Sequence, residues 1–292
     1  MDNSVDEIEV LNAMATIANQ SGRFEATVEI CERIFEISSK VGLDFGTGNG
    51  LLHLSHAQQA MGRFDDVEPT LIRALMAHQS STHGAAVELE LGRLRMRRGR
   101  YAEATEYLER AVQAYATMGF ATGIGYTYGE LGRIRLWQND LDGAMTLLGT
   151  ALRLATDSGN LYVESFVRPN IAYVHIALGE FTEAEKELQL GLESSLRGGF
   201  MHCVAEARVG MCALVYARDG AGAALVHYRE VMDVVRQYRH RVEEAAALLG
   251  LGRCELESGD RASGAAHVRE AVELYTRMGS AFDAAKAQAY LG

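Results

Sequence analysis

The chain has 292 residues, of which 48% are hydrophobic, so it can bury a core and is not intrinsically disordered. It contains 28 Lys and Arg against 39 Asp and Glu, which gives a net charge of −11. This charge argues against nucleic acid as a partner, because phosphate binding requires a concentrated basic face. No apolar run reaches the ~20 residues of a membrane span, so we expect no membrane partner either.

The N-terminus and the cysteines indicate the cellular compartment. Residues 1–7 are acidic and lack the basic start of a secretory signal. The cysteines show no C-x-x-C pairing and lie within helical patterns, which indicates reduced core residues. They are Cys31, Cys203, Cys212 and Cys254. We therefore expect a cytoplasmic protein.

Glycine and its substitutes divide the chain into repeats. The sequence has 30 Gly but only 2 Pro, against an average Pro usage of roughly 5%, and this balance is typical of helices joined by tight turns. Gly, Asn or Asp, which tolerate the left-handed backbone at a helix end, recur with spacings of 40, 37, 40, 40, 40 and 40 residues. The predicted turn residues are Gly22, Gly62, Gly99, Asn139, Gly179, Asp219 and Gly259.

Positions at fixed distances from each turn carry residues of one size. An apolar residue lies eight positions before the turn, such as Leu91 or Leu131, and a small residue follows it, such as Gly92 or Gly132. Small residues let two helices approach closely. Each repeat is therefore predicted to be a helix A, a tight turn and a helix B. A single pair cannot bury its apolar face, so the pairs must stack.

The sequence thus predicts an all-α fold, a right-handed superhelical solenoid of antiparallel helix pairs, over residues 1–292 as a single domain. A capping or truncated helix is expected at 281–292. The predicted repeats are residues 5–41, 43–79, 82–119, 121–159, 161–198, 201–239 and 241–279.

Residues 91–111 carry a family resemblance. They contain Leu91-Gly92, Gly99, Tyr101, Ala104 and Ala111 without an insertion, which resembles the tetratricopeptide repeat pattern. The repeat of about 40 residues is longer than the usual 34 of that family and lacks its Pro after helix B. Longer repeats of this kind resemble those in sensor regions of bacterial transcriptional activators and in peptide-binding quorum-sensing regulators. The resemblance implies a solenoid that mediates protein interactions.

Residues 43–50 resemble the glycine-rich loop of S-adenosylmethionine-dependent methyltransferases. That loop needs a parallel strand before it and strand–helix alternation after it, and neither is predicted here. We interpret Gly46, Gly48 and Gly50 as a turn between the first two repeats and expect no cofactor.

His53 and His56 are the remaining chemical motif. Their spacing of three could place two imidazoles on one helix face for a metal, but no third ligand stands nearby, so we interpret them as facing the groove or solvent and expect no metal site. No Ser-His-Asp or Cys-His constellation can be assigned, so no catalytic residue is predicted. An enzyme on a helical-repeat scaffold remains a remote alternative.

Helix A lines the concave groove in tetratricopeptide arrays, which the resemblance implies here. The positions six, two and thirteen residues before the turns, with one amide nearby, give a mid-groove cluster of Arg and aromatic side chains, the residue types that anchor interfaces. The predicted binding residues are Arg93, Arg97, Tyr126, Arg133, Trp137, Phe166, Asn170 and Tyr173.

A structural interpretation of the same residues stays open, in which the aromatics pack between helices and Arg93 and Arg133 pair with Glu90 and Glu130. If the arginines bind a ligand, replacing Arg93 or Arg133 by Ala is expected to weaken binding by roughly 1.5–3 kcal/mol. Stability is expected to change little, because exposed i,i+3 pairs contribute little. Pro169 indicates either a late start of its helix or a kink.

The predicted function is a non-enzymatic, regulatory scaffold that binds a protein or peptide carrying carboxylates. The alternative is a sensor domain that binds a small carboxylate metabolite in the mid-groove pocket. Terminal repeats could also mediate oligomerisation.

Overall fold

The computed structural model describes residues 2–20, 23–42, 44–77, 82–237 and 241–292. These residues form 15 α-helices and no strand. The odd-numbered helices are α1 (Asp2–Gln20), α3 (Asp44–Ala60), α5 (Thr82–Arg97), α7 (Ala121–Trp137), α9 (Leu161–Leu178), α11 (Met201–Asp219), α13 (Arg241–Glu257) and α15 (Ala281–Gln288). The even-numbered helices are α2 (Phe24–Val41), α4 (Phe64–Ala77), α6 (Tyr101–Thr117), α8 (Leu141–Ser158), α10 (Phe181–Gly198), α12 (Ala221–Gln237) and α14 (Arg261–Arg277).

Each helix packs against the next along the chain, and the connections are short, so consecutive helices are antiparallel. The predicted all-α solenoid of helix pairs is confirmed. None of the described helices is long and apolar enough to cross a membrane. The four cysteines are buried and unpaired.

The predicted turn residues mark the ends of the odd-numbered helices. Gly62, Gly99, Asn139, Gly179 and Gly259 all have positive φ. The predicted turn at Gly22, Leu43 and the repeat limits at 79 and 239 lie outside the described residues.

The sixth turn lies one residue later than predicted, at Gly220 rather than Asp219. Asp219 is the last residue of α11, and the positive φ of 86° belongs to Gly220 instead. Glycine has no Cβ to clash with the preceding carbonyl, so it takes the positive φ in preference to the neighbouring aspartate.

The turn predicted at Gly46, Gly48 and Gly50 is wrong, because these residues belong to α3. Residues 44–50 are helical rather than a turn, and the positive φ lies upstream at Gly42, at 69°. A helix N-terminal segment between two helices cannot form the strand–loop–helix of a nucleotide site, so the methyltransferase-like loop is absent from these residues.

Small residues set the spacing between the helices of a pair. A Cβ on Gly132 would lie 2.6 Å from Leu148 Cγ, and one on Gly92 would lie 2.8 Å from Leu108 Cγ. The predicted close approach at these positions is therefore present. The buried leucine of the second helix fills the space that the missing side chain leaves.

Pro169 lies inside α9, which starts at Leu161, so the alternative of a late helix start is wrong. The Asn160 side chain caps the first turn by accepting a hydrogen bond from Val163 N at 3.0 Å. The Pro169 ring faces α10 at Gly191, where an added Cβ would lie 3.1 Å from Pro169 Cδ.

The two layers of the solenoid differ in how closely their helices approach. Helix α7 touches α9, α9 touches α11 and α11 touches α13, whereas no comparable contact joins successive even-numbered helices in the described ranges. The inner layer of a curved array brings its helices closest together. The odd-numbered helices therefore form the concave face, and their side chains line the groove.

The curvature brings the last helix back to the third pair. Helix α15 touches α5, and the Phe282 ring lies 6.0 Å from the Tyr101 ring. Phe64, at the start of α4, also packs against the hydrophobic core formed by α11 to α15. The array thus closes part of the way around its own groove.

Candidate functional site

The predicted arginines and aromatics meet in the middle of the groove. The guanidinium of Arg93 lies 5.9 Å from the ring centre of Tyr126. That of Arg133 lies between Trp137, at 5.3 Å, and Phe166, at 5.4 Å. Cation–π contacts of this kind orient guanidinium groups and gain strength where water is excluded.

Arg93 sits in a network of buried carboxylates. Its Nη1 donates to Glu90 Oε1 at 2.8 Å, and its Nε lies 3.0 Å from Glu130 Oε1, close but not aligned for a hydrogen bond. Burial alone would raise the pKa of Glu90, but the charges of Arg93 and His56 outweigh it and lower that pKa. Glu130 is fully buried and also pairs with Arg133 at 3.3 Å.

This network corrects the expectation that Arg93 and Arg133 form exposed i,i+3 pairs of little energetic weight. Their side chains are only 23% and 17% exposed, and Glu130 is 0% exposed. A buried carboxylate that loses its cation keeps the full cost of its desolvation. These arginines therefore support the scaffold, and Arg93 in particular is already neutralised by the protein.

Arg97 is the cation of the cluster that lacks an acidic partner. Its Nη1 donates to Gln59 Oε1 at 2.8 Å, and no carboxylate in the described ranges lies within ion-pairing distance. Burial, and then the positive charge of Arg93, lower the pKa of Arg97 to about 10, although the carboxylates of Glu90 and Glu130 oppose the shift from a distance. An anion placed beside this guanidinium would offset the remaining shift.

The aromatic wall extends further than predicted. Tyr126 stacks on Tyr162, with 5.5 Å between ring centres, and is 4.8 Å from Phe166. Tyr162 was missed, although it lies four residues before Phe166 and such residues share a helix face. Trp137 meets Tyr101 edge-on at 6.4 Å.

The amide predicted at Asn170 joins the cluster to an acidic residue that sequence reasoning missed. Asn170 Nδ2 donates to Phe166 O at 2.7 Å and lies 3.5 Å from Glu206 Oε1. Burial raises the pKa of Glu206 to about 7, against the opposing charge of Arg133. The signal was present, because Glu206 occupies the position thirteen residues before its predicted turn, as Tyr126 and Phe166 do.

Tyr173 lies at the same side of the groove. Burial raises the pKa of its hydroxyl, the carboxylate of Glu206 raises it further, and Arg133 opposes the shift. The groove therefore has an arginine side at α5 and α7 and an acidic side at α11.

Comparisons with known proteins agree with this architecture. Residues 89–117 match the tetratricopeptide repeat family, and no curated protein matches the chain in sequence. The alignment with a Rap protein complexed with Competence and Sporulation Factor covers 94% of this chain and 77% of that protein, with a TM-score of 0.70 and 10% identity. The alignment with NprR in complex with its cognate peptide NprX covers 95% of this chain and 82% of NprR, with a TM-score of 0.62 and 13% identity.

A third similar structure is a Signal Transduction ATPase with Numerous Domains from Pyrococcus horikoshii that carries a tetratricopeptide repeat sensor. The alignment covers 91% of this chain and 42% of that protein, with a TM-score of 0.59 and 13% identity. The fold is that of a tetratricopeptide-repeat solenoid. The predicted resemblance is confirmed.

In this tetratricopeptide-repeat solenoid, His56 of the histidine motif lies beside a buried carboxylate. His56 Nε2 lies 3.7 Å from Glu90 Oε1, beside the arginine cluster, as expected for a groove-facing side chain. Within the described ranges, no group of three His, Cys, Asp or Glu side chains is arranged to hold a metal ion.

Proposed function

We propose that the chain is a non-enzymatic regulatory scaffold whose concave groove binds a peptide or protein segment through a carboxylate. The observation that carries the proposal is Arg97, a half-buried cation with an amide neighbour and no carboxylate within ion-pairing distance in the described chain. A guanidinium binds a carboxylate bidentately, and such charge-assisted bonds are worth about 1.5–3 kcal/mol each.

The surroundings of Arg97 select the rest of the ligand. Tyr126, Phe166 and Trp137 present ring faces beside the arginines and suit an apolar side chain next to the bound carboxylate. The acidic side at Glu206 disfavours a second carboxylate there. The preferred ligand thus has its negative charge at one end and an apolar part beside it.

The structural likeness to NprR in complex with its cognate peptide supports a peptide as ligand, since the same fold holds a peptide in that protein. The likeness is one of fold, and the residues that carry the proposal are those of this chain.

The second candidate function is a sensor for a small carboxylate metabolite. The contact of α15 with α5 favours it, because a groove closed at one side suits a short ligand better than a long segment. Both candidates use Arg97, and they differ in the size of the molecule that binds.

The test is capture from native lysate by the wild type, Arg97→Gln and Arg135→Gln, with peptides and metabolites both read by mass spectrometry. Arg135 is a matched control, because its side chain is 48% exposed and, among the described residues, pairs only with Asp140 at 3.7 Å. We expect a carboxylate ligand to be retained by the wild type and Arg135→Gln, and its affinity for Arg97→Gln to fall roughly tenfold or more. Equal capture by all three proteins would contradict the proposal, and the mass of the ligand decides between peptide and metabolite.

A further inference from the structure

Helix α1 presents an apolar face to solvent. Val10, Met14 and Ile17 have the spacing of residues on one face of a helix, and they are 59%, 48% and 55% exposed. Another side of the same helix is packed, since Ile8 is 2% exposed and belongs to a core cluster with Ile34 of α2. We call Val10, Met14 and Ile17 the α1 outer face.

The same positions in later repeats show what covers such a face. The residues at the same distances before the turn of the third repeat are Val87, Leu91 and Leu94 of α5. All three are at most 5% exposed, and they share a core cluster with Val67 and Leu71 of α4. The corresponding residues of α13 are likewise buried, in a cluster shared with α12. In these repeats the preceding even-numbered helix covers the face.

The two ends of the array therefore differ. The terminal repeats of a solenoid need a polar or covered outer face for solubility. Helix α15 packs on α14, and its Ala287 is 0% exposed within the core of α11 to α15. The α1 outer face is neither polar nor covered to this degree. The surface that fits it is an apolar helix face running antiparallel to α1, as α4 runs antiparallel to α5.

A second copy of α1 offers such a surface. Two copies of the helix related by a two-fold axis are antiparallel, and each presents the same apolar stripe to the other. With the axis beside Met14, the two Met14 side chains meet at the centre. Val10 of each copy then lies against Ile17 of the other copy.

The charges of α1 suit this arrangement. The acidic residues of the helix all precede Val10, so an antiparallel pair keeps the two acidic halves apart. Arg23 N donates to Ala18 O at 2.9 Å, which places Arg23 beside the last turn of α1. Asp6 lies eight residues before Met14 and therefore comes beside Arg23 of the second copy. Both side chains are exposed, and neither has an oppositely charged group within ion-pairing distance in the described ranges.

We propose that the α1 outer face is a self-association surface, on which a second copy of the chain packs its own α1 in an antiparallel, two-fold arrangement with Asp6 and Arg23 paired across the interface. This surface lies at the end of the stack, not in the concave groove. It goes beyond the function proposed above and does not depend on it.

Sedimentation velocity over a range of concentrations, without ligand, tests the surface in the wild type, Met14→Glu and Met76→Glu. Met76 is a matched control, because it is a 70% exposed methionine on α4. We expect a monomer–dimer equilibrium in the wild type and in Met76→Glu. The dissociation constant of Met14→Glu should rise at least tenfold, since a carboxylate would enter the centre of an apolar contact. Its melting temperature in dilute solution should equal that of the wild type.

Charge reversal tests the antiparallel arrangement. Asp6→Arg and Arg23→Glu should each weaken dimerisation severalfold, because like charges then meet across the interface. The double variant Asp6→Arg/Arg23→Glu should associate nearly as well as the wild type, since the pair is restored with its signs exchanged. The differences should shrink at high salt.

Hydrogen exchange locates the contact. Exchange in α1 should be fast in dilute protein, where the outer face is uncovered, and should slow as the concentration passes the dissociation constant. Exchange in α9 should not depend on concentration.

A wild type that remains monomeric up to ~100 μM, or a Met14→Glu variant that dimerises like the wild type, would overturn the proposal. Species larger than a dimer would indicate head-to-tail contacts and overturn the two-fold arrangement, as would a double variant weaker than both single ones. If Met14→Glu melts early, the charge-reversal series and the concentration dependence of exchange in α1 decide. None of these measurements uses a ligand, so their failure leaves the role of Arg97 standing. Equal lysate capture by Arg97→Gln, in turn, leaves the self-association surface standing.

Discussion

Glu130 is fully buried between Arg93 and Arg133, and its charge is balanced by these two side chains. We expect Arg93→Ala to lower the free energy of unfolding by about 2–4 kcal/mol, because it leaves the buried Glu130 carboxylate with Arg133, at 3.3 Å, as its remaining partner. Urea unfolding measures this change. Arg135→Ala, which removes an exposed arginine from the last turn of α7, should change the free energy of unfolding by less than about 0.5 kcal/mol.

The double variant Arg93→Ala/Glu130→Gln separates charge from packing. It should recover part of the lost stability, since the uncompensated charge is gone. If Arg93→Ala is as stable as Arg135→Ala, the buried pair does not support the scaffold.

Glu206 makes the free energy of unfolding depend on pH. Burial raises its pKa to about 7, above the unfolded value of about 4.3, so the folded state binds the extra proton between these values. The free energy of unfolding therefore falls as pH rises from about 4.3 to about 7 and levels off above. We expect Glu206→Gln to remove this fall and to be more stable than the wild type at pH 8 by about 1–2 kcal/mol.

Urea unfolding at pH 5 and pH 8 measures this difference. Glu193→Gln serves as control, because its carboxylate is 64% exposed and pairs weakly with Arg197. Identical pH profiles for the wild type and Glu206→Gln would show that Glu206 is solvated in the folded protein.

At the scale of the helix pair, glycine positions decide how closely two helices approach. Gly132 on α7 faces α8, where a Cβ would lie 2.6 Å from Leu148 Cγ, whereas Gly149 on α8 has nothing within 4 Å. We expect Gly132→Ala to cost about 1–3 kcal/mol through overpacking. Gly149→Ala should stabilise by about 0.5–1 kcal/mol through helix propensity.

Thermal unfolding of the two variants measures both effects in the same helix pair. Equal melting temperatures would mean that α8 shifts freely, and the register argument for small residues would then fail at this pair.

At the scale of the whole molecule, stability of a solenoid is a sum of repeat and interface contributions. The inner pairs α7–α8 and α9–α10 are packed on both sides, whereas Val10 and Met14 of α1 are 59% and 48% exposed. We expect amide hydrogen exchange to be fastest in α1 and slowest in α7 to α10. Mass spectrometry of proteolytic peptides measures this order, and protection of α1 equal to that of α9 would contradict a stack whose interior is stabilised by its neighbours.

The repeating register by itself determined the solenoid. The spacing of Gly and Asn residues, with small residues such as Gly92 and Gly132 at constant distances before them, is local information, since each turn and each contact within a helix pair is made by residues near in sequence. The same register placed the arginines and aromatics of α5, α7 and α9 on one face, because neighbouring repeats repeat the same geometry.

Only the tertiary structure decided which charges are balanced and what closes the groove. The burial of Glu130 depends on how α5 and α7 pack, so the pairs of Arg93 and Arg133 could not be distinguished from exposed ones by spacing. The approach of Phe282 to the turn between α5 and α6 arises from curvature. Small rotations between successive repeats add up over several pairs, and their sum is set by packing at every interface, which no single repeat of the sequence encodes.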